Sequence, residues 1–220
     1  MAGPGDSRPA TRSESVAFAS DGLALEGVLH IPALSPSPAV VICHPHPLYG
    51  GDMHNNVVVA LARAITERGI AVLRFNFRGA GGSEGSFGGG AGERADARAA
   101  LTFLRQRPEV DPERMGIAGY SFGAAVALLA ADADLKAVVA VSTPTIARDL
   151  AEIRLTCPVL LVVGENDEVA PPTRLAGLDA YIGPRAEMIM IPGADHFWSG
   201  DEAELATMVA DFFARMLAAP

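Results

Sequence analysis

The sequence contains a serine framed by two glycines, in the pattern G-x-S-x-G at residues 119–123 (GYSFG). In this pattern the serine lies on a tight turn between a strand and a helix, which exposes its hydroxyl for nucleophilic attack. The apolar residues before the turn, including Met115 and Ile117, are typical of a short buried strand. The uncharged run from Phe122 to Ala131 is typical of a buried helix. Ser121 is therefore the predicted nucleophile.

The same pattern occurs a second time, at residues 81–85 (GGSEG). Ser83 is followed by a glycine-rich stretch, GSFGGGAG, instead of a helix former. Each glycine inside a helix costs roughly 0.5–1 kcal/mol relative to alanine, so no helix is expected to start there. We interpret Ser83 as a loop serine without a catalytic task.

A serine hydroxyl needs a general base that removes its proton and an acid that orients this base. In the chain order Ser, then Asp or Glu, then His, only His196 follows Ser121 among the five histidines. The acid is expected at the end of an intervening strand, and an apolar strand pattern runs into residues 164–167 (GEND). We predict Asp167 as the acid, with Glu165 as the alternative, and interpret Asp195 as structural.

The negative charge that develops on an attacked carbonyl oxygen requires backbone N–H donors. The residue after the nucleophile, Phe122, is expected to supply one of them. The other should come from the loop HPHPLYGG, whose prolines have no N–H to donate. We predict His46 as the second donor, with Leu48 as the alternative.

Substrate-binding residues are expected among the apolar side chains on the loops around these groups. Tyr49, Phe87 and Trp198 are predicted to wall a shallow cleft, together with Leu48 and Phe122. The segment between Val141 and Pro158 is too short to hold a lid domain, so short acyl chains are the expected substrates.

Two other kinds of site on the same loops are disfavoured. His44, His46, Asp52 and His54 could ligate a metal, but the His-x-His pair lacks the helical i, i+4 presentation of the zinc-protease motif. The glycine-rich loop at residues 79–84 (GAGGSE) departs from G-x-G-x-x-G at its last position, which argues against a dinucleotide. We expect no metal and no cofactor.

Strand and helix patterns alternate along most of the chain. An edge hairpin is predicted first, followed by a series of buried strands and by helices between them. The predicted strands are Ser15–Ser20, Leu23–Ile31, Ala39–Cys43, Ile70–Phe75, Arg114–Gly119, Lys136–Val141, Pro158–Val163 and Glu187–Ile191. The predicted helices are Val57–Arg68, Glu93–Gln106, Phe122–Ala131, a short piece within Ser142–Leu155, Pro171–Ile182 and Ser199–Leu217. This order predicts an α/β fold, with a mostly parallel sheet covered by helices on both faces and ligands at the carboxyl ends of the strands.

Composition bounds the remaining possibilities. The 220 residues suit one domain, predicted at 14–220 behind a flexible tail at 1–13. A net charge of −9 with dispersed arginines argues against nucleic acid and anionic membranes as partners. No 18-residue apolar run or signal sequence is present, so a cytoplasmic location is expected. Both cysteines, Cys43 and Cys157, are interpreted as reduced and buried.

The motifs HPHPLYGGDMHNN, RFNFRGAGGSEG, GYSFGA, GENDEV and PGADHFW together resemble those of α/β hydrolases. They are most similar to small, lid-free bacterial hydrolases related to dienelactone hydrolases and to the catalytic domains of prolyl-oligopeptidase-like enzymes. The resemblance covers about residues 15 to 217, and it implies Ser121 as nucleophile, Asp167 as acid and His196 as base. Dienelactone hydrolases carry cysteine at the position of Ser121, so dienelactone is not the expected substrate.

These observations favour a serine esterase that cleaves small acyl esters or thioesters through an acyl-enzyme. Its expected partner is a small-molecule ester, and the protein is expected to be a monomer or a homodimer. One alternative is a hydrolase-fold protein that binds with little turnover. Another is a peptidase or lactonase that uses the same triad, although a peptidase would normally carry an added gating domain.

Overall fold

A single eight-stranded sheet organises the residues that this computed structural model describes, namely 11–144, 153, 155–175, 182 and 185–218. The strands are β1 (Arg12–Ser20), β2 (Leu23–Ile31), β3 (Ser37–Cys43), β4 (Ala71–Phe75), β5 (Val110–Tyr120), β6 (Ala137–Val141), β7 (Val159–Gly164) and β8 (Ala186–Ile191). Their spatial order is β1-β2-β4-β3-β5-β6-β7-β8. The pairs β1–β2 and β2–β4 are antiparallel, and all the other pairs are parallel.

The central strands are continuous apolar runs because both faces of the sheet are covered. All five residues of Ala39–Cys43 in β3 are buried, as are all six of β7. Val40 lies opposite Val72 of β4 on one side and Gly116 of β5 on the other. Parallel pairing from β4 through β8 brings the carboxyl ends of these strands to one edge of the sheet, where a site is expected.

In the part of the chain that the structure describes, four long helices cover the sheet. They are α1 (Asn56–Glu67), α2 (Ala91–Arg105), α3 (Phe122–Ala130) and α4 (Glu202–Met216), and a short helical turn is formed by Pro172–Leu175. The helices α2 and α3 pack on one face of the sheet, and α1 and α4 pack on the other. None of the described helices is both long and apolar enough to cross a membrane.

The local sequence determines where α1 begins and ends. The side chain of Asn55 accepts a hydrogen bond from the Val57 N–H and so caps the helix. Gly69 follows the helix at φ +79°, in the left-handed region that favours glycine. The apolar face between them buries Leu61 and Ile65 completely, and each such side chain stabilises the fold by about 1.5–3 kcal/mol.

The predicted α/β class with a mostly parallel sheet is confirmed, and several boundaries differ. β1 begins at Arg12, which pairs with Ile31, so Arg12 and Ser13 belong to the sheet and not to the expected tail. β5 begins at Val110 because Ser37 at the start of β3 pairs with it. The last helix begins at Glu202, three residues later than predicted.

The connection between β6 and β7 is short. It comprises residues 142–158, which is too little chain for a separate lid domain. A short helical piece was predicted within Ser142–Leu155, but most of that segment, residues 145–152 and 154, lies outside the described part of the chain. The same holds for most of the helix predicted over Pro171–Ile182, of which Pro171–Leu175 and Ile182 are described.

Candidate active site

Ser121 lies on a sharp turn between the end of β5 and the start of α3. Its backbone has φ 54° and ψ −123°, a conformation that costs about 1–3 kcal/mol for a residue with a β-carbon. Two backbone hydrogen bonds hold it there: the Ser121 N–H donates to the carbonyl of Val141 at 2.8 Å, and the Ser121 carbonyl accepts from the Ala124 N–H at 2.9 Å. The predicted strand-turn-helix setting of this serine is therefore present.

Steric contacts explain why glycine is present on either side of the turn. A β-carbon on Gly119 would lie 2.6 Å from the backbone nitrogen of Ala124 in the first turn of α3. A β-carbon on Gly123 would lie 2.6 Å from the carbonyl carbon of Cys43 at the end of β3. Glycine at both positions lets strand, turn and helix approach one another and the neighbouring strand.

The structure brings the three predicted catalytic side chains into one hydrogen-bonded row. The Oγ of Ser121 is 3.0 Å from Nε2 of His196, and Nδ1 of His196 is 2.9 Å from both carboxylate oxygens of Asp167. They come from three loops, after β5, β7 and β8, at the same edge of the sheet. With the Nδ1 proton donated to Asp167, Nε2 is free to accept the proton of the Ser121 hydroxyl.

The carboxylate of Asp167 is buried and well supplied with donors. In addition to His196, its Oδ1 accepts hydrogen bonds from the N–H groups of Val169 at 3.0 Å and Ala170 at 2.7 Å. Burial by itself raises the pKa of Asp167, but the hydrogen bonds from His196, Ala170 and the Ser142 side chain, together with the charge interaction with His196, outweigh it and lower the pKa below its usual value. The group is thus ionised at neutral pH and suited to orient the imidazole.

The other acidic residues near His196 serve the backbone. Glu165, the alternative acid, accepts a hydrogen bond from the Gly193 N–H at 3.0 Å and so braces the turn before the histidine. Asp195 accepts from the N–H groups of Phe197 and Trp198, each at 2.9 Å. Asp195 therefore has the structural place predicted for it, and neither carboxylate bonds to Nδ1 of His196.

Two backbone N–H groups suit an oxyanion hole, one on the residue that follows Ser121 and one on a residue that lines the same cleft as Ser121. Within the described chain, the N–H groups of Phe122 and His46 donate to no protein acceptor. Phe122 also begins α3, where the helix dipole favours negative charge. The alternative donor, Leu48, was wrong: its N–H donates to Nδ1 of His46 at 3.2 Å, and this bond caps the start of the 3-10 turn at Pro47–Tyr49.

A buried histidine fixes the loop that carries His46. His44 donates from Nδ1 to the carbonyl of Pro45 at 2.6 Å, and its Nε2 accepts from the Phe77 N–H at 3.0 Å. Burial lowers the pKa of His44 to about 4, so the ring is neutral at physiological pH. These bonds join the loop after β3 to the loop after β4, a role that the sequence reading did not assign.

The histidines of the loop make other contacts. Both ring nitrogens of His44 are engaged, Nδ1 of His46 accepts from Leu48, and Nδ1 of His54 is 3.3 Å from the Arg74 guanidinium. Over the residues that the structure describes, no three candidate metal ligands are grouped.

Ser83 has a structural task in the glycine-rich loop. Its hydroxyl donates to the carbonyl of Asn76 at 2.7 Å and accepts from the Glu26 N–H at 3.0 Å. The Asn76 side chain in turn accepts from the Met53 N–H at 2.8 Å and donates to Glu26 at 2.6 Å. The second G-x-S-x-G pattern thus serves loop packing, as interpreted from the sequence.

A cleft of about 290 Å³ opens onto Ser121 and His196. The apolar side chains in its wall are Pro45, Tyr49, Tyr120, Val169 and Phe197. Of these, Tyr49, Val169 and Phe197 are 87%, 50% and 62% exposed, whereas Tyr120 is buried. Tyr49 was predicted, whereas Val169 and Phe197 were missed. Phe197 directly follows the base, which was a usable signal, but Val169 carries no local pattern that marks it.

Four of the five predicted wall residues, namely Leu48, Phe87, Phe122 and Trp198, do not line this cleft. Trp198 was wrong: it is fully buried, and its indole N–H donates to the Ser142 hydroxyl at 3.0 Å. Its φ of +59° turns the side chain into the core, on the opposite side of the chain from its neighbour Phe197. Phe87 is not part of the cleft wall either, since its ring packs on those of His46 at 4.8 Å and Phe122 at 5.8 Å between ring centroids.

Comparison with known proteins gives relatives for most of the chain. Residues 91–217 match the dienelactone hydrolase family. The protein RP471 of Rickettsia prowazekii (strain Madrid E) is 34% identical over 194 residues, which cover 82% of this chain and 80% of that one. The thiohydrolase apmlB of Arthrinium phaeospermum is 37% identical over 135 residues, 59% of this chain and 42% of its own length. The crystal structure of XC6422 from Xanthomonas campestris, an α/β serine hydrolase without a lid, matches with a TM-score of 0.86 at 30% identity, covering 95% of this chain and 97% of that one.

Proposed function

The chain belongs to the dienelactone hydrolase family and is an α/β hydrolase, and we propose that it is a serine esterase of the carboxylesterase type. The observation that carries this proposal is the row Ser121–His196–Asp167, with hydrogen-bond distances of 3.0 and 2.9 Å. The row joins a nucleophile, a base with a free Nε2 and an ionised acid, which are the parts that acyl transfer to serine requires.

The proposed reaction has two halves. Nε2 of His196 takes the proton of the Ser121 hydroxyl while Oγ attacks the carbonyl carbon of the substrate. The N–H groups of Phe122 and His46 stabilise the oxyanion, and Asp167 stabilises the imidazolium. His196 then protonates the departing alcohol or thiol, which leaves an acyl group on Ser121. A water molecule, deprotonated by the same imidazole, hydrolyses this ester and releases the acid.

The cleft supports a small substrate with an apolar acyl group. A volume of about 290 Å³ lies near the lower end of the range for ligand sites. Its exposed wall residues, Tyr49 and Phe197, offer apolar surface that a bound substrate would remove from water. The similarity to a thiohydrolase supports thioesters beside oxygen esters as substrates.

The experiment that tests the proposal uses the purified chain and its Ser121→Ala variant. Hydrolysis of p-nitrophenyl acetate and butyrate, of an S-butyryl thioester and of a peptide p-nitroanilide is measured for both. A fluorophosphonate should label the parent chain and not the variant, and both esters should turn over. Labelling without turnover would indicate the binding-protein alternative, and faster cleavage of the anilide than of the esters would indicate a peptidase. Hydrolysis that survives in Ser121→Ala would contradict the proposed triad.

A further inference from the structure

The base His196 lies on a loop, so its position relative to Ser121 depends on how that loop is held. The loop joins β8 to α4 and contains two left-handed glycines, Gly193 and Gly200, as well as the left-handed Trp198. Its own turn bonds, from Phe197 and Trp198 to Asp195, are local and fix its shape only. Contacts to other parts of the chain must fix its place over the nucleophile.

One such contact joins the loop to the turn that carries the nucleophile. The hydroxyl of Tyr120 donates to the main-chain carbonyl of His196 at 2.6 Å, in a buried setting. Tyr120 is 3% exposed, and its ring lies 5.6 Å from the imidazole between centroids. Because Tyr120 directly precedes Ser121, this bond links the backbone of the base to that of the nucleophile's neighbour.

A second contact holds the loop two residues further on. The indole N–H of Trp198 donates to the Ser142 hydroxyl at 3.0 Å, and both side chains are fully buried. Ser142 is held in turn at the end of β6, where its N–H donates to the Val162 carbonyl at 2.8 Å. Trp198 and Ser142 have φ values of +59° and +49°, so two unfavourable backbone conformations are maintained at this contact.

We propose that Tyr120 and Trp198 are positioning residues, whose hydrogen bonds to the His196 carbonyl and to Ser142 hold the base over Ser121. This inference rests on the proposed function, because it assigns their effect to proton transfer by His196. A displacement of about 1 Å between reacting groups can lower a rate by about 100-fold, so a loosened loop would act mainly on kcat. Neither residue touches the reacting atoms.

The first test is Tyr120→Phe, which removes one hydroxyl and keeps the buried ring. We expect kcat for p-nitrophenyl butyrate to fall about 10- to 100-fold, with KM changed by less than about twofold. The same substitution in a His196→Ala background should lower the residual rate no further, because the bond acts only through the base. A loss of packing or of substrate contact would lower the rate in both backgrounds.

The second test is Trp198→Phe, which removes the indole donor and remains informative if Tyr120→Phe does not fold. Trp198→Phe should lower kcat by the same factor as Tyr120→Phe. In the His196→Ala background it should leave the residual rate unchanged. The matched control is Thr143→Val, because the Thr143 hydroxyl is buried next to Ser142 and has no hydrogen-bond partner among the described residues. This control should keep the parent kcat and the parent melting temperature to within a few degrees.

These experiments distinguish a failure of the proposed triad from a failure of the proposed positioning role. If His196→Ala leaves the activity unchanged, the proposed triad fails. A second outcome is that His196→Ala abolishes most of the activity, but Tyr120→Phe and Trp198→Phe lower its residual rate by the same factors as they lower the rate of the parent protein. In that case the triad stands and the positioning role is overturned. Parent-like kcat in both phenylalanine variants would also overturn it.

Discussion

The Cα of Gly123 lies against the carbonyl group of Cys43, with no room for a β-carbon between them. This contact joins the first turn of α3 to the end of β3, from which the loop with His46 departs. In Gly123→Ala backbone atoms must move, so we expect the free energy of unfolding to fall by at least about 2 kcal/mol and kcat to fall with it. Urea unfolding and ester hydrolysis measure both.

The control for this prediction is Gly69→Ala. Gly69 differs in that its backbone is left-handed, at φ +79°, and in that no described residue beyond its chain neighbours has an atom within 4 Å of a β-carbon built on it. It should lose about 1 kcal/mol through backbone strain and keep its kcat. Equal losses of kcat in the two variants would show that the close approach of Gly123 to Cys43 does not determine the geometry of the active site.

The two serines in G-x-S-x-G patterns should separate activity from stability. Ser121→Ala should lower kcat on the order of 10³-fold or more, because it removes the nucleophile while the oxyanion donors stay. Ser83→Ala should retain kcat but lose about 1–3 kcal/mol of stability, since it leaves the Asn76 carbonyl and the Glu26 N–H without their partner. An activity loss in Ser83→Ala at parent stability would contradict the assignment.

The chain order Ser121, Asp167, His196 could be predicted because each of these residues follows a strong local pattern, a strand that ends at the sheet edge. The positions of Trp198 and Leu48 could not be predicted. In each case the backbone conformation of a short segment decides where the side chain or the N–H group points. At φ +59° Trp198 turns into the core, and the 3-10 turn directs the Leu48 N–H to the His46 ring. The start of β5 at Val110 could not be predicted either, because it depends on pairing with Ser37 of β3, which is distant in sequence.

Asp167→Asn should impair catalysis far more than binding. Asparagine keeps the shape, but it lacks the charge that stabilises the imidazolium and can favour the wrong tautomer of His196. We expect kcat to fall by about 10³-fold or more, with a small change in KM. Glu165→Gln is the matched control, because Glu165 bonds to the Gly193 N–H and not to His196. A larger fall in kcat for Glu165→Gln than for Asp167→Asn would reverse the assignment of the acid.

Buried histidines should make the fold sensitive to mild acid. Burial lowers the pKa of His44 to about 4 from 6.5, so between these values the unfolded chain binds more protons than the folded one. The stability that neutral His44 provides is therefore present above pH 6.5 and is lost as the pH falls toward 4. His30, whose pKa burial and then Arg74 lower to about 4, adds to the same slope.

Melting temperatures from pH 8 to pH 4 check this prediction. The parent protein should lose stability steadily below about pH 6.5. His44→Gln should be less stable at pH 8, because its bonds to Pro45 and Phe77 are disturbed, but its stability should fall less steeply with acid. Parallel curves for the two proteins would contradict a depressed pKa of His44.

Acyl-chain length should be limited by the size of the cleft. Each buried CH₂ contributes up to about 0.8 kcal/mol while there is wall to touch, so kcat/KM should level off or fall beyond roughly four to six carbons. Rates on p-nitrophenyl acetate, butyrate, octanoate and palmitate measure this. Phe197→Ala should weaken the discrimination, because Phe197 forms part of the apolar wall. A steady rise to palmitate would instead require a long tunnel.

The position of the base late in the chain ties activity to the order in which the protein is made. Ser121 and its turn belong to β5 and α3, but His196 follows β8, and α4 packs on α1 only after that. A chain still on the ribosome thus carries the serine long before its base has been added. With His196 as the proposed base, hydrolysis requires β8 and α4 to be in place, so the reaction would report that this edge of the fold has formed.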